Sequence, residues 1–174
     1  MNVSTPIDPA RDALPAAPLD LPGQRVLPEW IDYNGHMNVA YYVLAFDKAT
    51  DRLFDLFDLG VDYVKRTNNS TFVLETHVTY AQEVHEGDPL RFTAQLLDYD
   101  AKRLHYFLQM FHAEQGYLSA TSEQIALHVS LDNRRTAPIP AEQLARLSVV
   151  MTAHQSLAKP SQAGSVIGIR RKVA

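Results

Sequence analysis

After its one long helical stretch the hydrophobic period of this chain changes from helical to two-residue, and nothing else in the sequence restricts its fold so much. Between Asn38 and Leu59, the residues Val39, Val43, Phe46, Thr50, Leu53 and Phe57 recur at spacings of four and three, which predicts one buried face of a long helix. Its other side carries Asp47, Lys48, Asp51, Arg52, Asp55 and Asp58, a solvated face on which Lys48 can pair with Asp51 and Arg52 with Asp55 across one turn. Gly60 is placed to end the helix, and Thr67-Asn68-Asn69-Ser70 marks the loop after it. From there the alternation is that of strands. Leu90 to Leu96 places apolar and polar residues in strict alternation, and Thr71 to Tyr80, Leu104 to His112 and Tyr117 to Leu131 are rich in β-branched and aromatic residues. Turn residues at Glu86-Gly87-Asp88-Pro89, Asp98 to Lys102 and Gln115-Gly116 join them. Ahead of the helix, Arg25 to Ile31 reads as a short first strand and Asp32-Tyr33-Asn34-Gly35 as a turn; after the strands, Pro138 and Pro140 interrupt and Ala141 to Met151 reads as a closing helix. One long helix and a largely antiparallel sheet, with no Gly-rich phosphate loop, make a two-layer α+β domain.

Composition sets the limits around that domain. A length of 174 residues, with 46% hydrophobic and 21% charged, suits one core. The division expected is an arm over 1–23, a folded domain over 24–152 and a tail over 153–174. With no cysteine, thiolate nucleophiles and disulfide frameworks are excluded, so any nucleophile is oxygen or water. A net charge of -4 argues against nucleic acid as a partner. No run approaches the roughly 20 apolar residues of a membrane span and no secretory leader is visible, so the expectation is a cytoplasmic protein with no membrane partner. The dense basic run Arg170-Arg171-Lys172 reads as a solvated tail. The histidines lack metal-site spacing, and no metal is expected.

The run Trp30-Ile31-Asp32-Tyr33-Asn34-Gly35-His36-Met37-Asn38, followed by Tyr41-Tyr42 and the long helix, resembles the active-site signature of the 4-hydroxybenzoyl-CoA thioesterase family. The resemblance runs from about Gln24 to Pro140, since Glu83 to Leu90 is similar to that family's loop between its second and third long strands. It implies a hot-dog fold, in which a curved sheet wraps one central helix. It also implies hydrolysis of an acyl-CoA thioester, with coenzyme A present only as part of the substrate and no separate cofactor, in a homodimer or homotetramer. This version of the signature is most similar to the thioesterases of carnitine breakdown that act on betainyl-CoA.

Thioester hydrolysis needs a base or nucleophile beside the acyl carbon and donors aimed at the oxygen where charge develops. A helix beginning near His36 to Asn38 leaves its first amides unpaired at the positive end of its dipole. The resemblance assigns the carboxylate to Asp32, which either attacks the thioester or orients a water; from the residues alone, Asp32 reads as a turn and capping residue. Gly35 permits close approach of the backbone to a ligand, and the amides of His36 and Met37 are the candidate donors. The His36 ring either acts as an acid or braces the turn, and Asn38 either caps the helix or positions water. Trp30, Tyr33, Tyr41 and Tyr42 are candidates for an aromatic cage around a quaternary ammonium, against the plainer reading as core. Glu75 and His77 share one strand face, Glu75 as a candidate acyl contact and His77 as part of a polar outer face. Arg103, Arg134 and Arg135 are candidates for the anionic end of coenzyme A, or solvated strand termini. Two rival functions remain at this level: a hot-dog hydratase or dehydratase, and an acyl-CoA binding module without turnover.

Overall fold

The computed structural model describes residues 17–169; the expectations for residues 1–16 and for Arg170, Arg171 and Lys172 lie outside the described residues. The long helix, α1, spans Val39–Leu56. Asn38 caps it, extended at φ -67° with its side-chain oxygen accepting the Ala40 amide at 2.9 Å. Its buried stripe is Tyr42, Ala45, Phe46, Ala49, Thr50, Leu53 and Phe54. Val39 and Val43, expected on that stripe, are instead 59% and 47% exposed. The stripe facing the sheet passes through two alanines, whose small side chains let the helix lie close, and this shifts its centre away from the larger valines. The helix also stops earlier than expected. Asp58, at φ 54°, takes the left-handed position after it, held by Arg66 at 2.9 Å and by the Gln143 amide at 2.9 Å. Gly60, at φ -83°, opens a second helix, α2 (Val61–Thr67), which the sequence pattern did not predict. On the solvated face Arg52 meets Asp55 at 3.7 Å, while Lys48 lies over the Trp30 ring rather than beside Asp51.

Among the described residues, six antiparallel strands form one sheet: β1 (Leu19–Arg25), β2 (Asn69–Tyr80), β3 (Pro89–Tyr99), β4 (Arg103–His112), β5 (Leu118–Ser130) and β6 (Arg135–Thr136). Their order is β1-β3-β4-β5-β2, with β6 against the end of β5. The first strand lies six residues earlier than expected and begins inside the segment taken for an arm. Its alternation is broken by a bulge between Leu21 and Gln24, which hides the pattern, and Pro22 is tolerated because β1 is an edge. Leu19 and Leu21 point into the core.

The inner face of the sheet meets α1 through aromatic pairs: Phe46 on Phe92, with centroids 6.0 Å apart, and Phe54 on Tyr106 at 5.7 Å. The closing helix, α3 (Ala141–His154), buries Leu147 and Val150 and ends with His154 Nδ1 accepting the Leu96 amide at 2.8 Å. That bond falls where β3 bulges between Leu96 and Asp98. At the other edge, β2 pairs, among the described residues, only with β5 and leaves Phe72, Val73 and Leu74 exposed.

Candidate active site

Between the 3₁₀ turn Pro28–Trp30 and α1, the chain closes a small loop on itself. Ile31 and Met37 bridge antiparallel, the Asp32 amide donates to His36 O at 3.0 Å, and the Gly35 amide returns to Asp32 O at 3.0 Å. Gly35 sits at φ 83°, a backbone conformation that glycine adopts without strain. The Asn34 amide donates to Asp32 Oδ1 at 2.7 Å, which orients the half-buried carboxylate and leaves Oδ2 without a hydrogen bond among the described residues. Two further bonds pin the loop to the body: Met37 N to Val84 O and Asn38 N to Trp30 O, both 2.9 Å.

These bonds decide which amides are free. Met37, expected as an oxyanion donor, has its N–H committed to Val84 and cannot serve. Among the described residues, the amides of His36 and Val39 have no acceptor, and Val39 is the first residue of α1, where the dipole's positive end lies. His36 Nδ1 lies 3.2 Å from Met37 O, so its ring folds back on the loop. The Asn38 side-chain oxygen is taken by the cap, leaving only its amide nitrogen for a water.

The expected aromatic cage does not assemble. Tyr33 is 96% exposed, with no wall behind it. Trp30 and Tyr41 stack on each other at 5.7 Å, and the Trp30 ring already carries the Lys48 ammonium at 5.1 Å. Tyr42 is buried, and burial raises its phenol above the usual range, with Ser119 and Val84 hydrogen bonding against that shift. Its ring meets that of Tyr80 edge to face at 5.1 Å. Tyr80, half exposed at the end of β2, was not singled out from the sequence; only the β2–β5 register, which sets Tyr80 opposite Ala120, carries it to α1.

Glu75, His77, Arg103, Arg134 and Arg135 stand away from the Asp32 loop within one chain. Glu75 and His77 project from the face of the sheet opposite α1, beside a cleft of about 620 Å³ that His105, Glu123 and residues 164–167 also line. There His105 Nε2 meets Glu123 Oε1 at 2.8 Å and the Gly164 amide donates to Glu123 Oε2 at 2.7 Å. Arg103 makes a forked bond to Asp100, at 2.8 and 2.6 Å, so its charge is already matched. Arg134 and Arg135 follow the far end of β5, separated from Ser119 by most of a strand roughly 40 Å long at about 3.3 Å per residue. Among the described residues no three His, Asp or Glu converge as metal ligands, and no helix is long and apolar enough to cross a membrane.

Comparison with known proteins gives consistent findings. A family model described as the thioesterase-like superfamily matches residues 26–147. The chain is 44% identical over 146 residues to the betainyl-CoA thioesterase of Pseudomonas aeruginosa, covering 83% of this chain and 91% of that protein. It is 34% identical over 163 residues to the L-carnitine dehydrogenase/betainyl-CoA thioesterase of Rhizobium meliloti, of which it spans 33%. Among solved structures, a Staphylococcus aureus protein in complex with CoA superposes with a TM-score of 0.79 at 30% identity, covering 85% of this chain and 93% of that one.

Proposed function

We propose that this chain, which belongs to the thioesterase-like superfamily, hydrolyses a small acyl-CoA thioester and that its substrate is betainyl-CoA, released as betaine and free CoA. The observation that carries the reading is the meeting, on one loop, of an oriented carboxylate and unpaired amides at the start of α1. In the proposed reaction the Val39 and His36 amides polarise the thioester oxygen, and their worth grows as negative charge develops there. Asp32 Oδ2 then has two routes. It attacks the carbonyl carbon, expelling CoA as its thiolate and leaving a mixed anhydride that water opens, or it takes a proton from a water that attacks the same carbon. Either route ends in a carboxylic acid and CoA thiol.

Asp32→Asn keeps the loop's shape, because the amide oxygen can still accept from Asn34, and removes the base. Release of free thiol from betainyl-CoA is expected to fall by about 10²- to 10⁴-fold. Turnover unchanged in the variant would remove Asp32 from the chemistry; betainyl-CoA bound by wild type without thiol release would favour a binding module instead.

A homodimer belongs to the same proposal. The free backbone edge of β2, 12 residues long, and its exposed Phe72, Val73 and Leu74 suit isologous strand pairing, whereas the opposite edge, β1, has only 7 residues. The reading also locates the enzyme in the cytoplasm, with its coenzyme A substrate.

A further inference from the structure

We propose that Tyr80, seated against Tyr42 at the first turn of α1, receives the quaternary ammonium of the acyl group on its open face. This rests on the reading of betainyl-CoA as substrate and names the residue that selects it.

A trimethylammonium offers no proton to an acceptor, so a site recognises it with aromatic faces and nearby negative charge. In a betainyl thioester that nitrogen stands two bonds from the reacting carbon. Whatever holds it must therefore lie beside the oxyanion donors. Tyr42 meets this condition, because side chains on a helix lean toward its N-terminus and Tyr42 lies three residues after Val39. It is 4% exposed and forms a fixed wall, while Tyr80, 50% exposed and 5.1 Å from it, presents the accessible ring. The anionic partner on the same rim is Glu83, whose charge is felt at the Tyr42 phenol and whose backbone oxygen accepts from Tyr117 at 3.0 Å.

Other groups that could attract a cation are misplaced or occupied. Asp47 is eight residues along α1 from Val39, about 12 Å at 1.5 Å per residue, beyond the reach of a betainyl nitrogen whose carbonyl sits at the helix start. Trp30 already faces the Lys48 ammonium, and a second cation there would be repelled.

The test compares kcat/KM for betainyl-CoA with that for tert-butylacetyl-CoA, a neutral acyl group of the same shape, in wild type, Tyr80→Phe and Tyr80→Leu. Because both substrates are read on each protein, any loss of folded enzyme cancels from the ratio. Tyr80→Leu is expected to lower the betainyl preference by about 5- to 30-fold, and Tyr80→Phe, which keeps the ring, to hold it within about 2-fold. A ratio unmoved by Tyr80→Leu, in a wild type that cleaves betainyl-CoA, would overturn the role of Tyr80 alone. A wild type that cleaves other acyl-CoAs but not betainyl-CoA would overturn the substrate reading itself.

Discussion

A Cβ at position 23 would stand 2.2 Å from the carbonyl oxygen of Leu90, so glycine is what allows β1 to pass its bulge against β3. Gly23→Ala should therefore destabilise the fold by about 1–3 kcal/mol, seen as a lower thermal midpoint; an unchanged midpoint would mean that the strand moves aside freely. At Gly35 the restriction is of another kind: a Cβ there would meet nothing within 4 Å, and the demand comes from φ 83° alone. The Asp32 loop shows how far single residues could be read. Its carboxylate, glycine and cap are visible as residue types in sequence. Which carboxylate oxygen is free, and that Val39 rather than Met37 offers an amide, follows from bonds to Asn34 and Val84.

Among the elements, α1 was legible as a helix because its apolar residues recur within one turn of each other. Its facing was not, because Val39 and Val43 fit the same period as the stripe that packs. The end of α3 carries a testable pH effect. Burial lowers the His154 imidazole below its ordinary value of 6.5, since desolvation disfavours the charged ring. The folded pKa thus lies below the unfolded one: the stabilisation is complete above about pH 6.5 and is lost as pH falls toward and through the folded value. The thermal midpoint should drop between about pH 7.5 and about pH 5.5, and His154→Asn, which retains an acceptor for the Leu96 amide, should flatten that dependence. Equal slopes in the two proteins would show that other groups set it.

At the scale of the molecule, the sheet ends in an open strand with Leu74 58% exposed at a bulge, and the proposed dimer covers it. Leu74→Lys should shift the protein toward monomer in light scattering at micromolar concentration, because a buried, unpaired ammonium opposes pairing; an unchanged mass would locate the interface elsewhere. Hydrophobic period and turn residues determined that the chain is one long helix with an antiparallel sheet, and the Asp32 to Asn38 signature picked out the loop on which we propose its chemistry. Both depend on residues a few positions apart. Tertiary structure alone decided the strand order, the emergence of β1 from the supposed arm, the separation of Glu75, Arg134 and Arg135 from Asp32, and the meeting of Tyr42 with Tyr80. The physical reason is that these contacts join segments distant along the chain, so the register of pairing and the packing of α1 on the sheet settle them, and no local pattern encodes either.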